Sequence, residues 1–368
     1  MRHTLPLLEA RAPATGRCTY CPKLCRPACP VSTVEGRETV TPWGKMRALD
    51  EVLRADAPGH HAERFEKAWA CTGCGACRAL CLLDNPVADT LFDGRADAFA
   101  NDLAPPAVKA FLRDEAATDG ARRRARASLD AEGATHATLR YMPGCAEADA
   151  RPEQVRDAAE AVGLLGRCGC GVSAEVCCGA KLHDAGDRLG LLAQARRFAE
   201  SVRGVETLVV GDADCLAVLR SVYPRLGVTL PKVEHLSEFA EAHLDRLGAV
   251  EAPPRVVWHD PCKLGRGLGV YDAPRRVLSA VLGRPVGEAE NHRDKALCSG
   301  GGGLVPLTRP ETAREIAAMA LAELAQGGDT VVVVGCASSR ARFAEAGAAV
   351  EDFATWVLRG ARAGAQRP

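Results

Sequence analysis

An excess of either charge is missing from this chain. Its 368 residues hold 47 lysines and arginines against 47 aspartates and glutamates, a formal net charge of zero. That balance argues against a general nucleic-acid binder or a protein drawn to anionic lipid by a basic surface. Long apolar runs are missing too. No stretch approaches the roughly eighteen residues of a membrane helix, and the N-terminal segment has no apolar core of the signal-peptide kind. Any membrane contact is therefore expected to come peripherally, through a partner. A disulfide scaffold is excluded by number and length: the 17 cysteines are odd in count and sit in a long chain. The stretch Gly265-Arg-Gly267-Leu-Gly269 follows a cysteine loop and lacks the third-glycine spacing of a dinucleotide fingerprint. Neither NAD nor flavin is expected on this chain.

What is present is cysteine in ordered runs. Cys71, Cys74, Cys77 and Cys81 form C-x2-C-x2-C-x3-C, and Cys18, Cys21, Cys25 and Cys29 repeat it with one extra residue in the second gap. Three thiolates on a tight loop can clasp three corners of a cubane, while the fourth reaches the neighbouring cluster. By that logic Cys18, Cys21, Cys25 and Cys81 hold one [4Fe–4S] cluster, and Cys71, Cys74, Cys77 and Cys29 hold a second. Zinc sites more often pair two C-x2-C units than use four close cysteines in succession. Pro22 begins the widened gap, and Leu82 stands where proline often follows the fourth cysteine. Neither change removes a ligand. Thiolates destined for iron need a reducing compartment, so a cytoplasmic location is expected.

The length implies two or three domains. Residues 1–112 carry the two runs in a helical, ferredoxin-like domain. Thr41-Pro42-Trp43 reads as a helix start, and Met46, Leu49, Val52 and Leu53 follow at helical spacing. Residues 113–135 read as a linker. Their Arg122, Arg123, Arg124 and Arg126 suit a solvated face or, alternatively, a docking site for an acidic partner.

Beyond residue 136 the pattern changes to α/β. Four β-type runs, 137–142, 207–210, 255–259 and 330–334, lead into Cys145, Cys215, Cys262 and Cys336. They alternate with helical stretches such as Glu311–Gln326, which argues for parallel strands with crossover helices. Ligands gather at the carboxyl ends of such strands, and there each cysteine lies. The order is also duplicated. Cys262 lies 117 residues after Cys145, Cys298 lies 121 after Cys177, and Cys336 lies 121 after Cys215. Two copies of one unit, 136–250 and 251–368, account for this and are expected to pack with their cysteine loops together.

The arrangement resembles the CCG-domain proteins, which include the B-type and D-type subunits of heterodisulfide reductases and the iron–sulfur subunits of glycolate oxidase and anaerobic glycerol-3-phosphate dehydrogenase. The resemblance implies a dicluster domain followed by two pseudo-repeated α/β CCG domains, α+β or α/β in class. It also implies that a complete repeat binds a noncubane cluster and ends in C-x-x-C. Cys145, Cys177, Cys178 and Cys215 match the first repeat, with Val218 in place of the last thiol. They are candidate ligands of a third, noncubane-like cluster. In the second repeat Cys262, Cys298 and Cys336 match, but Ser299 and Ser339 replace two thiols. A fourth cluster there needs Ser299, His259, water or substrate as a further ligand, or is absent. An open iron position could receive a sulfur substrate; equally, the gap could be decay of a duplicated site.

Candidate catalytic groups are accordingly Cys177, Cys178, Cys298 and His259. Gly144, Gly300, Gly301 and Gly302 are candidate cofactor-binding positions, where backbone N–H groups can approach what the neighbouring cysteines hold. His259 and Asp260 suit a hydrogen-bonding role beside Cys262 better than ligation. Lys181 and His183 could supply charge or a proton near the cysteine pair, and Cys168 and Cys170 read as ordinary loop thiols. Because iron–sulfur clusters pass single electrons, the two-electron donor is expected on another polypeptide. The first expectation is therefore an iron–sulfur subunit that relays electrons from a flavoprotein dehydrogenase to a quinone, a thiol or another carrier. A membrane or quinone-reactive subunit could be a further partner. The alternatives are a subunit reducing a disulfide at the CCG site, and a noncatalytic redox-sensing or assembly protein.

Overall fold

Thr41-Pro42-Trp43 opens a helix, Pro42–Arg54, for a local reason. The Thr41 hydroxyl accepts from the Gly44 N–H at 3.0 Å, and Pro42 stands where no N–H is needed. Met46, Leu49 and Val52 then fall on one face and are buried among Phe65, Trp69 and Leu91. Such pairings recur through a computed structural model that describes residues 3–55, 59–129, 137–326 and 329–366.

The chain divides into two units. The first gathers Met1–Ala117 with two later segments, Ala180–Leu191 and Leu297–Ala320. It is helical among the described residues, and its core is the cluster around Met46, Leu49, Phe65 and Trp69. Helix Val87–Ala100 packs its Leu91 into that core; a side chain at Gly94 would meet the Leu49 Cδ1 at 2.9 Å. Small size there lets two helices approach.

The second unit comprises Thr118–Gly179, Leu192–Ala296 and Leu321–Pro368 and holds two parallel sheets. β1 (Leu139–Met142), β2 (Gly171–Val172), β3 (Thr207–Val210) and β4 (Lys232–His235) lie in the order β2-β1-β3-β4. β5 (Arg255–Trp258), β6 (Thr330–Val334) and β7 (Val350–Asp352) follow as β5-β6-β7. A parallel bridge from Val257 to Gly287 adds, beside β5, the position that β2 takes beside β1. The buried faces are apolar because helices cover them: Val332, Val333 and Val334 are each at most 1% exposed. Helix Pro152–Gly166 packs on Phe353–Ala365, and Leu236–Glu241 on Asp272–Leu282. The strand ends of the two sheets meet where the Ala213 N–H donates to the Gly335 carbonyl at 3.1 Å.

The arginine-rich segment differs from a wholly solvated face. Pro106–Ala127 is one helix, and Arg126 at its end is buried, with two N–H groups on the Asp149 carboxylate at 2.6 Å each. Arg122 and Arg123 keep the surface pairing expected of such a face, with Asp149 and Asp119. Residues 130–135 of the expected linker lie outside the described residues. No helix among the described residues is long and apolar enough to cross a membrane.

Candidate iron–sulfur sites

In the first unit the eight ferredoxin-type thiols fall into two neighbouring groups. Cys18 lies in the last turn of helix Ala12–Thr19, where burial pushes its thiol up to about 11 and Cys25, Cys21 and Cys81 push in the same direction. The Asn85 amide opposes them, donating to the Cys18 sulfur at 3.0 Å. Cys25 is likewise pushed up to about 11 by burial, then by Cys21, Cys81 and Cys29. The widened gap after Cys21 is accommodated by Lys23 in the left-handed region at φ 65°. Cys77 is pushed well up by burial, with Cys74, Cys71, Cys29 and Cys25 around it. Gly73 and Gly75 take the positive φ that this tight loop requires, and the Gly73 N–H donates to the Cys71 sulfur at 3.3 Å.

Buried thiols that crowd one another resist ionisation unless a cation is bound among them. Two buried cations already sit beside one group. The Lys45 ammonium donates to the Cys29 sulfur at 3.4 Å, and Arg95 donates to the Cys71 carbonyl at 2.7 Å. Among the described residues neither is ion-paired to a carboxylate. The donor set of sulfurs and buried cations fits an anionic iron–sulfur group.

The four thiols of the first repeat converge in the second unit. Cys145 opens helix Cys145–Ala150 just past β1, and its sulfur lies 3.0 Å from that of Cys177. Cys178 and Cys215 are 3.1 Å apart. Cys177 is held well below the ordinary thiol range by hydrogen bonds from Cys145 and Cys178 and by the Gly179 N–H at 3.4 Å. Its partners move the other way. Cys145 and Cys178 are raised by donating to Cys177, and burial adds to this. At Cys215 the bond with Cys178 acts downward, but burial and Asp212 outweigh it and push the thiol up to about 12.

The surroundings fix this group. Asp212 caps helix Ala213–Ala217 through the Cys215 N–H at 3.0 Å, and Gln194 donates to the Cys177 carbonyl at 2.6 Å. The Tyr223 hydroxyl donates to the Cys178 carbonyl at 2.9 Å, and Arg126 reaches the Cys145 carbonyl at 3.5 Å. Val218, where a fifth thiol would stand, is buried and begins a π-helical segment, Val218–Val222. Gly144 caps the Cys145 helix; a side chain there would press on Asp212 and Ala337 at 3.2 to 3.3 Å.

The second-repeat residues stand in separate surroundings. Cys298, in the first unit, donates to the Thr72 hydroxyl at 3.6 Å and accepts from the Gly300 N–H at 3.3 Å. Gly300, Gly301 and Ser299 are buried beside it. Gly302 and Gly303 press on the ferredoxin-type loop: added Cβ atoms would lie 2.4 Å from the Thr72 carbonyl oxygen and 2.1 Å from that of Cys71. In the second unit, Cys336 is buried and donates to the Asp214 carboxylate at 3.7 Å. Burial, Asp214 and Asp212 push it well up, with Ser339 acting downward. Cys262 is half-buried after β5, and the His259 ring stands edge-on to Phe343 at 4.8 Å. Asp260 is structural: it pairs with Arg275 at 2.7 Å and accepts from the Arg293 N–H.

His183 stacks on Phe92 at 4.9 Å, Lys181 is exposed, and Cys168 is exposed with Cys170 half-buried. Gly265-Arg-Gly267-Leu is a short helix that ends in a left-handed Gly269.

Comparison with known proteins finds two kinds of domain in this chain. A 4Fe-4S dicluster domain matches residues 14–84, and a cysteine-rich domain of the CCG type matches twice, at 139–220 and 256–342. This chain is a CCG-domain iron–sulfur protein. Among its relatives, the B-subunit of fumarate reductase (CoM/CoB) from Methanothermobacter marburgensis is 34% identical over 142 residues, 39% of this chain and 28% of that one. The D-subunit of dihydromethanophenazine:CoB–CoM heterodisulfide reductase from Methanosarcina acetivorans is 26% identical over 335 residues, 82% of this chain and 81% of that one. EtfAB:quinone oxidoreductase of Syntrophomonas wolfei is 30% identical over 134 residues, 35% of this chain and 18% of that one. The CCG chain thus spans most of one relative and a minor part of the others.

Several residues around the CCG chain's thiols escape a reading of sequence. Lys45 and Asn85 touch the sulfurs of the candidate ligands Cys29 and Cys18 yet sit apart from them in sequence, Asn85 some 67 residues from Cys18. Arg126 hides inside a cluster that reads as surface. Asp212 alone had a local signal, as an aspartate placed to cap the helix that carries Cys215.

Proposed function

We propose that this chain is the electron-relay subunit of a multisubunit oxidoreductase. It takes single electrons from a flavoprotein partner through two [4Fe–4S] clusters and passes them toward the CCG thiols, and from there to a quinone, a thiol or another carrier. The observation that carries this reading is the gathering of eight thiols into adjoining groups, Cys18, Cys21, Cys25 and Cys81 beside Cys29, Cys71, Cys74 and Cys77. Iron–sulfur groups held there supply one-electron carriage. The chain's own residues hold them, set their surroundings and keep water away. Cys25 neighbours Cys29, and Cys77 neighbours Cys25, so the two groups abut. Thr72, one residue past Cys71, touches Cys298, which supports the Cys71 group as the inner end of the path.

The outer end is marked by exposed apolar side chains. Tyr20, Leu24, Leu80, Leu82 and Leu83 flank Cys18, Cys21, Cys25 and Cys81, and Tyr20 and Leu82 are 84% and 89% exposed. Five of the eight large apolar side chains most exposed among the described residues lie here, which suits a protein partner.

A second reading rests on the crowded thiols of the first repeat. Cys145, Cys177, Cys178 and Cys215 could hold a noncubane-like cluster that adds two electrons and two protons to a disulfide, yielding two thiols. The relative named as a heterodisulfide reductase favours it. Anaerobic purification with partners, iron and sulfide counting and EPR separate these readings. About eight irons per chain mean the dicluster alone, and about twelve mean a further cluster in the CCG half. A flavoprotein that co-purifies and reduces the clusters supports the relay. A colourless chain free of iron ends both readings.

A further inference from the structure

The two thiol groups of the first unit share a chemistry but not an electrostatic setting. Lys45 lies in the first turn of helix Pro42–Arg54, where the Thr41 cap fixes it, and is 1% exposed. A buried ammonium is stable only where an anion answers it. Among the described residues no carboxylate does. Its Nζ donates to the Cys29 sulfur at 3.4 Å, and Cys71 and Cys77 also lie near it.

Arg95 is a second cation beside Cys71. It is fully buried and gives its donors to the carbonyls of Ala68, Cys71, Asp184 and Gly303. The Cys18 group differs. The neutral Asn85 amide is its polar contact, and the main influences on Cys18 and Cys25 are burial and other thiols, not cations.

We propose that Lys45 is a tuning residue: its fixed charge raises the reduction potential of the cluster on Cys29, Cys71, Cys74 and Cys77 above that of the cluster on Cys18, Cys21, Cys25 and Cys81. A positive charge stabilises the more negative, reduced state of a neighbouring group, and burial strengthens the effect. The relay is therefore unequal. An electron entering at the Cys18 end is drawn to the Cys71 loop, beside Thr72 and Cys298. The step moves one electron, makes and breaks no bond, and leaves Lys45 protonated throughout. This rests on the ligand assignment under Proposed function.

The test is an EPR-monitored redox titration of the anaerobically purified full chain, comparing Lys45→Met, Lys45→Gln and Lys45→Arg with the parent. Arg47→Gln removes one exposed charge from the same helix and is the control. The parent should show two separated midpoints. The higher one falls in both neutral variants, stays near the parent value in Lys45→Arg, and is unmoved in Arg47→Gln. The lower midpoint shifts less. Equal midpoints in the parent, no shift in the neutral variants, or a shift in Arg47→Gln as large as theirs would overturn the proposal. So would Lys45→Arg behaving like Lys45→Met, since packing would then be the cause. If the neutral variants lose one cluster's iron while Lys45→Arg keeps it, the charge requirement stands; loss from Lys45→Arg as well refutes it. An iron-free parent sinks the electron-relay reading itself.

Discussion

Asn85 is the neutral counterpart of Lys45. Its amide bridges the Cys18 sulfur and the Ala14 carbonyl, each at 3.0 Å, from a buried site. A hydrogen bond to a ligating sulfur favours the reduced cluster. Asn85→Leu should therefore lower the midpoint of the cluster on Cys18 and destabilise the fold by about 1–2 kcal/mol. Redox titration and denaturant melts check the two effects, and an unchanged midpoint would remove Asn85 from the tuning account. Asp97 gives a prediction in pH. It is buried, accepts the Leu8 N–H at 2.7 Å, and burial raises its carboxyl from 3.8 to about 6. The folded state thus holds the proton more tightly than the unfolded one, so this contribution is complete below pH 3.8 and lost as pH rises through 6. Asp97→Asn keeps the acceptor and removes the titration. Parent stability minus variant stability should fall across that window and level off above it, and a flat difference would contradict the assignment. Single residues were the hardest scale to read from sequence. Cysteine spacing nominates candidate ligands, but Lys45, Asn85 and Arg126 are ordinary surface residue types whose burial only the folded chain decides.

Elements were more legible where their pattern was long or unusually apolar. Thr330–Val334 is a strand because five consecutive residues are β-branched and the last three of them are buried. β2, β4 and β7, of two to four residues, carry no comparable run and escape a reading by periodicity. The turn after Cys298 is a mixed case. Its glycines read as a strand-to-helix turn or as groups that approach a cofactor, yet Gly302 and Gly303 are small because the backbone of Cys71 and Thr72 lies against them. Gly303 also sits at φ +63°. Gly303→Ala meets both penalties, strain and collision with the Cys71 carbonyl, and should cost well over ~1 kcal/mol while loosening the cysteine loop. Gly269 has a similar φ of +75° but open space around it, so Gly269→Ala should cost only about 1 kcal/mol. Parallel melts and iron counts compare them. Equal losses in the two variants would mean that the approach to Cys71 is not what selects glycine.

The duplicated cysteine order shows in the whole molecule as two sheets with related strand orders, but the units do not follow the chain. Ala180–Leu191 and Leu297–Ala320 leave the CCG half of the sequence to join the unit that holds both ferredoxin-type runs. Sequence separation hides this, because each excursion is short and begins beside a cysteine motif. The same non-local logic applies to the ligands. Cys81 feels Cys18 and Cys25, members of the other run, and Cys29 lies among the neighbours of Cys77. If each run held its own cluster, Cys81→Ser would disturb the group that Cys74→Ser disturbs. With exchange, Cys81→Ser and Cys21→Ser should perturb one EPR signal, while Cys29→Ser and Cys74→Ser perturb the other. The effect should be specific, with the untouched cluster keeping its midpoint and about four irons. Matched signals within a run, rather than across runs, would mean that the fourth cysteine stays with its own loop and that the two groups are joined by proximity alone.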